Sequence, residues 1–172
     1  MENEIMDNLV KQLRLLIGGR VEKATLMIWP DMSANLNEMD IEFNLKLKLP
    51  FNEIKNITFR MDSDGQTPLI DNEEVEQKYD ISELPSRMET WKTFEFWSMI
   101  DDNIKSGKGH YMYDCFNVEN SIEYAGVVGA KIVKIGLYYI QDKKFIFFKN
   151  GKYKYPFGLF IEFSTGSKVW II

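Results

Sequence analysis

The chain has 172 residues, 45% of them hydrophobic and 14% aromatic, and this composition in a chain long enough to bury about 70% of its unfolded surface excludes intrinsic disorder. The formal net charge is −5, and the single cysteine, Cys115, excludes an internal disulfide and a four-cysteine zinc site. The first residues lack the positive charge of a secretory signal, and no apolar run approaches the roughly 18 residues of a membrane helix, so we expect a soluble, cytoplasmic protein with no membrane partner.

The first part of the chain predicts one helix followed by three strands. Apolar residues recur at helical spacing from Ile5 to Ile17, and two glycines then form a stop signal. Residues 21–29 and 57–61 are predicted strands, and residues 38–49 alternate strictly between polar and apolar side chains. Such alternation is typical of an antiparallel strand with one face on a core, while its other face meets water or a partner.

An acidic segment follows, beginning with a predicted turn at residues 62–65. One cation, Lys78, opposes eight carboxylates in this segment: Asp62, Asp64, Asp71, Glu73, Glu74, Glu76, Asp80 and Glu83. We interpret the segment as a loop. It is either a solvated charge run or a surface that repels nucleic acid and attracts a basic protein.

A second helix is predicted after the acidic segment. Ser86 and Glu89 have the spacing of a capping box, and apolar residues recur every three or four positions from Met88 to Ile104. Asp101 and Asp102 lie near the last turn, where the helix dipole disfavours negative charge. Either the helix ends before them, or they serve a purpose outside it.

The remainder of the chain is predicted to form strands joined by short loops, with residues 119–130 left undecided. The candidate strands are residues 110–118, 131–140, 144–149, 152–155, 158–163 and 168–172. Together the elements predict a single α+β domain over residues 1–172, with a curved, largely antiparallel sheet packed against one or two helices.

No motif in the chain predicts a catalytic residue, a metal ligand or a cofactor. His110 and Cys115 lie five positions apart on a predicted strand and therefore project to opposite faces, which disfavours a nucleophile and its base. Two alternatives remain open. The predicted hairpin at residues 143–155 mixes lysines with aromatic rings, a combination that binds RNA or single-stranded nucleic acid. Two carboxylates from distant segments would also suffice for an enzyme with a cleft.

The last fifteen residues, 158–172, comprise a strand, a small polar turn and an aromatic-rich strand. This pattern resembles the closing hairpin of bacterial immunity proteins from polymorphic-toxin and contact-dependent growth inhibition systems. The resemblance implies a cognate toxin domain, frequently a basic nuclease, and it transfers no binding residue. Together with the charge pattern it favours a non-enzymatic protein that neutralises a toxin. The predicted contacts are the eight carboxylates of the acidic segment together with Asp101 and Asp102.

Overall fold

The structure is a computed structural model that describes residues 2–30, 40–61, 68–107, 113–139 and 156–171. Within these ranges it confirms the predicted α+β fold class. The helices are α1 (Glu2–Arg14), α2 (Leu84–Trp91) and α3 (Phe94–Lys105). The strands are β1 (Arg20–Ile28), β2 (Ile41–Lys48), β3 (Ile54–Met61), β4 (Pro68–Asn72), β5 (Tyr79–Asp80), β6 (Asp114–Asn117), β7 (Ile132–Tyr139), β8 (Pro156–Phe163) and β9 (Lys168–Ile171).

The strands form two sheets, although the sequence predicted one. The larger sheet has the order β4-β3-β2-β1-β6-β5, and all its pairs are antiparallel except β5 with β6. The smaller sheet has the antiparallel order β7-β8-β9. An isolated bridge between Arg20 and Lys131 links the two sheets.

One face of the larger sheet, its core face, carries the main hydrophobic core. Leu45 of β2 and Phe59 of β3 are fully buried there. Leu13 of α1 and Ile161 of β8 belong to the same cluster. Because burying an apolar side chain of this size contributes about 1.5–3 kcal/mol, the core face holds α1 and the smaller sheet on one side of the larger sheet.

The predicted second helix is two helices, so the expectation of one continuous helix from residue 88 to residue 104 is wrong. Thr93 has an extended backbone and caps α3 by accepting a hydrogen bond at Oγ1 from the Phe96 backbone nitrogen at 3.3 Å. The break allows both Trp91 of α2 and Phe96 of α3 to be buried in one cluster with Ile28 of the core face. The apolar spacing hides the break, because Phe94 continues it in sequence but is 82% exposed, and Phe96 is buried instead.

The capping box lies earlier in the chain than predicted. Asp80 accepts a hydrogen bond at Oδ1 from the Ser82 backbone nitrogen at 3.0 Å, and Glu83 accepts one at Oε2 from the Asp80 backbone nitrogen at 2.7 Å. Ser86 instead donates its hydroxyl hydrogen to the Glu83 carbonyl oxygen at 2.8 Å. The box therefore caps a short 3-10 helix at residues 81–83 that leads into α2.

A buried carboxylate joins α2 to the sheet. Asp114, 7% exposed at the start of β6, accepts hydrogen bonds at one oxygen, Oδ2, from Trp91 Nε1 at 2.7 Å and from Arg87 Nε at 2.9 Å. The guanidinium of Arg87 also stacks 4.5 Å from the centre of the Tyr79 ring. These contacts fix α2 against β5 and β6.

The second face of the larger sheet, its polar face, carries Thr25 of β1, Asn44 of β2 and Thr58 of β3, which pair directly across the strands. The sequence predicted that this face meets water or a partner, and in the structure Asn44 and Glu42 are each only 3% exposed. Another part of the chain must therefore cover the middle of the polar face. In the described parts of the chain, no helix combines the length and hydropathy needed to cross a membrane.

Candidate functional site

Residues 73–78 form a strap across the larger sheet. The strands on either side of the strap, β4 and β5, lie at opposite edges of the sheet, so the strap passes over the four strands between them. Five interstrand spacings of about 4.8 Å amount to roughly 24 Å, and seven residue steps of about 3.4 Å cover the same distance. The strap must therefore be nearly fully extended, and the acidic segment is not the free loop that the sequence predicted.

Side chains of the polar face hold the strap by hydrogen bonds. The Asn44 amide donates from Nδ2 to the Glu73 carbonyl oxygen at 3.0 Å and to Thr58 Oγ1 at 2.9 Å. Near the other end, the Gln77 amide donates from Nε2 to Thr25 Oγ1 at 3.0 Å. The strap thus lies on the polar face and shields its central row of uncharged polar side chains from water.

The side chains of the strap alternate as those of an extended chain do. Val75 and Gln77 are half-buried, whereas Glu74 and Glu76 are exposed. Among the described residues, no cation lies within ion-pair distance of Glu74 or Glu76. The strap therefore presents two carboxylates to solvent from a backbone that is anchored on both sides of them.

A cluster of charged groups lies on the polar face beside the strap. The Tyr113 hydroxyl oxygen is 2.7 Å from Asp40 Oδ2 and 3.0 Å from Glu42 Oε1. Arg60 Nη1 lies 3.7 Å from Glu42 Oε1, and its Nη2 forms an ion pair with Asp71. Because a phenol has one proton, Tyr113 can donate to only one carboxylate at a time. When it donates to Asp40, Glu42 can bond to the phenol oxygen only in its protonated form.

The electrostatics of the cluster also favour a proton on Glu42. Burial raises the pKa of Glu42 from its ordinary value of 4.5, and the opposing contributions of Tyr113 and Arg60 do not cancel this effect. Burial likewise raises the pKa of Tyr113, and its hydrogen bond to Asp40 adds to the shift. The phenol therefore stays protonated, and burial favours the protonated form of Glu42 beside it.

Replacing Glu42 by glutamine is expected to alter the pH dependence of stability. Since the folded pKa is raised, the native state binds more protons than the unfolded state from pH 4.5 up to that raised pKa, and the wild type loses stability as pH rises through this window. The free energy of unfolding of Glu42→Gln relative to wild type should therefore increase with pH across the window and then level off. Urea unfolding at several pH values between about 4 and 8 measures the difference.

The matched control for this measurement is Glu53→Gln, which removes an exposed carboxylate. Its difference from wild type should lack the rise shown by Glu42→Gln. If the two variants gave parallel curves, the raised pKa of Glu42 would be contradicted.

The structure brings together four of the predicted contact residues. Asp71 forms an ion pair with Arg60 at the edge of the larger sheet where the strap begins. The strap itself carries Glu73, Glu74 and Glu76. Asp71 is thus partly neutralised, while Glu74 and Glu76 are the most available of the four for a partner.

The other predicted contact residues have different surroundings. Asp80 and Glu83 cap the 3-10 helix, which gives both a local structural role. Asp101 and Asp102 are exposed within α3, which continues past them to residue 105 and packs on the core face. The sheet therefore separates them from the strap. Two further predicted contacts lie outside the described residues: Asp62 and Asp64.

A cleft of about 780 Å³ lies at the end of β5, and its lining includes Asp80 and Glu123. Hydrogen bonds from Ser82 and Asn120 lower the pKa of Asp80, and a hydrogen bond from Ser121 lowers that of Glu123. A general-acid carboxyl requires the opposite shift. The described cleft therefore lacks the raised carboxyl pKa expected of the carboxylate enzyme considered above.

The Cys115 thiol is buried and adds no reactive group to the described surface. Burial raises the pKa of Cys115 to about 11, which leaves little reactive thiolate at neutral pH. The suggested base, His110, and the predicted nucleic-acid hairpin at residues 143–155 lie outside the described residues. Within the described ranges, no group of three or more histidine, cysteine, aspartate or glutamate side chains is placed to hold a metal ion.

No protein-family model matches the chain, and no match was found among curated proteins or solved structures. The arguments for function therefore come from the strap and the charges around it.

Sequence reasoning identified the strap carboxylates but missed their supports and the Glu42 cluster. A usable signal was present, because the middle polar positions of the predicted strands are uncharged residues such as Asn44 and Thr58, while the positions toward the ends of β2 are charged. Short uncharged polar side chains in the centre of a sheet are typical of a face that another segment covers.

Proposed function

We propose that the protein is a non-enzymatic binding protein whose partner presents a basic surface to the strap. The observation that carries the proposal is the exposure of Glu74 and Glu76 on an extended segment anchored by partly buried hydrogen bonds. Carboxylates held in place before binding avoid much of the ordering cost of an interface. They also attract a basic partner from a distance and thereby speed its association.

The class of partner we propose is a toxin domain, in keeping with the resemblance of residues 158–172 to the closing hairpin of immunity proteins. A nuclease toxin carries basic surface for its nucleic-acid substrate, and such a surface is complementary to the strap. Covering that surface would neutralise the toxin without any catalytic step in this chain.

Replacing both Glu74 and Glu76 by glutamine is expected to slow association with the partner about tenfold at low salt and to flatten the dependence of the rate on salt. The partner is captured from the native cell with the wild-type chain and then purified. Association rates are measured by surface plasmon resonance at several ionic strengths.

The matched control for this experiment is Asp101→Asn with Asp102→Asn, which changes the net charge equally on the opposite side of the sheet. Equal effects of the two double variants would show that total charge, rather than the strap, governs binding.

A growth assay tests the toxin part of the proposal separately. Expression of the captured partner in bacteria should stop growth, and co-expression of the wild-type chain should restore it. Glu74→Gln with Glu76→Gln should restore growth less well. A captured partner that binds the strap but is harmless would contradict the toxin assignment and leave the binding proposal intact.

A further inference from the structure

Four cations stand in two like-charged pairs on the polar face. Arg20 of β1 lies opposite Lys48 of β2, and Lys23 lies opposite Lys46. Like charges directly opposite each other across a strand pair are destabilising. Among the described residues, no carboxylate lies within ion-pair distance of any of these four, which together are called the basic strip below.

A β-bulge places both cations of β1 on this face. Three positions apart, Arg20 and Lys23 would point to opposite faces of a regular strand. The register of β1 against β2 shifts between Val21 and Lys23, so that both cations face the partners that β2 projects from the polar face. A bulge that re-aims a side chain in this way is typical of functional surfaces. The basic strip is therefore a built feature of the sheet.

The basic strip lies next to the strap. Lys46 is two residues along β2 from Asn44, which holds the strap, and two residues of a strand span roughly 7 Å. The basic strip and the carboxylates of the strap thus lie side by side on one face. A two-fold axis that runs between the strips, in the plane of this face, would place the basic strip of each copy on the strap carboxylates of the other.

We infer that a second copy of this chain docks on the polar face, with the basic strip of each copy against Glu74 and Glu76 of the other. The complementary charge of the adjacent strips favours this occupant, because both strips of one copy then meet opposite charge on the other. The dimer covers the strap carboxylates, so a basic protein partner competes with it. The inference does not depend on the proposed function, since it concerns the chain alone.

Sedimentation velocity of the wild-type chain tests the dimer directly. We expect a reversible monomer–dimer equilibrium whose dissociation constant rises about tenfold or more between roughly 20 mM and 300 mM salt, because added ions screen exposed charges. A chain that stays monomeric at every concentration at low salt would overturn the inference. So would a dimer with no salt dependence.

A charge-swap experiment tests which strips meet. One variant carries Lys23→Glu with Lys46→Glu, and the other carries Glu74→Lys with Glu76→Lys. Each variant alone should be monomeric, because like charges would face each other, and an equimolar mixture should dimerise as the wild type does. Each replacement changes the formal charge of −5 by two units, so the variants carry −9 and −1, and attraction between oppositely charged molecules cannot explain pairing.

The matched control in the swap is Asp101→Lys with Asp102→Lys, which also carries a formal charge of −1. This control should not pair with the variant that carries both Lys23→Glu and Lys46→Glu. If the two did pair, the assignment of the strips would be overturned. Failure of the two swap variants to dimerise when mixed would do the same. A monomeric wild type that binds oligo-dT through Lys23 and Lys46 would instead assign the basic strip to a polyanion and overturn the dimer.

Discussion

Replacement of Asp114 by alanine is expected to lower the free energy of unfolding by about 3–5 kcal/mol, because it removes one partner of a buried ion pair. The Asp114 carboxylate accepts hydrogen bonds from Trp91 Nε1 and Arg87 Nε at a single oxygen, so its loss leaves the fully buried indole N–H without an acceptor. The guanidinium of Arg87 also loses its counter-charge in a half-buried position. Urea unfolding followed by tryptophan fluorescence measures the loss.

Two further variants separate the contributions at this position. Asp114→Asn keeps an oxygen that can accept from the Trp91 indole but removes the charge, so its loss should be smaller than that of Asp114→Ala. Adding Arg87→Met to Asp114→Ala removes the uncompensated cation and should recover part of the stability. A loss below about 1 kcal/mol for Asp114→Ala would contradict the anchoring role of this carboxylate.

Local sequence patterns predicted the elements in which apolar residues recur with a single regular period. Strict alternation located β2 and implied antiparallel neighbours, and helical spacing located α1. These patterns succeed because side-chain direction follows directly from the backbone repeat. The same patterns failed at Thr93, where the apolar spacing of α2 continues in phase into α3 and hides the break.

The path of the acidic segment could not be predicted from its own residues. Of its two short strands, β4 pairs with the preceding strand β3, but β5 pairs in parallel with β6, which is distant in sequence. Its charge was compatible with either a solvated loop or a surface that attracts a basic protein. The order of strands in the sheet determines instead that residues 73–78 must cross the polar face, and strand order is a long-range property that alternation does not encode.

The strap also explains why a predominantly acidic chain keeps Asn44 at the centre of its longest alternating strand. A charged residue at this position would be buried beneath the strap at a cost of several kcal/mol. An apolar residue would leave the Glu73 carbonyl oxygen without the amide hydrogen that it accepts. The two hydrogens of one amide group satisfy the strap and the neighbouring Thr58 hydroxyl together.

Replacement of Asn44 by alanine is therefore expected to lower the free energy of unfolding by about 2–4 kcal/mol, because one buried and one partly buried hydrogen bond are lost and their acceptors remain covered. The strap should also loosen. The Glu73 amide, which donates to the Asn56 carbonyl oxygen at 2.9 Å, should exchange its hydrogen faster than in the wild type. Urea unfolding and hydrogen exchange measure the two effects.

A loosened strap should bind the basic partner more weakly even though Asn44→Ala removes no charge, since Glu74 and Glu76 must then be ordered on binding. The matched control is Lys46→Ala, two positions along the same strand, which removes a longer side chain without touching the strap. At about 0.3 M salt, where surface charges are screened, Lys46→Ala should change stability by no more than about 0.5 kcal/mol. Equal losses of stability in the two variants would show that Asn44 does not anchor the strap. Unchanged partner affinity in a destabilised Asn44→Ala would show that the anchoring serves folding and not recognition.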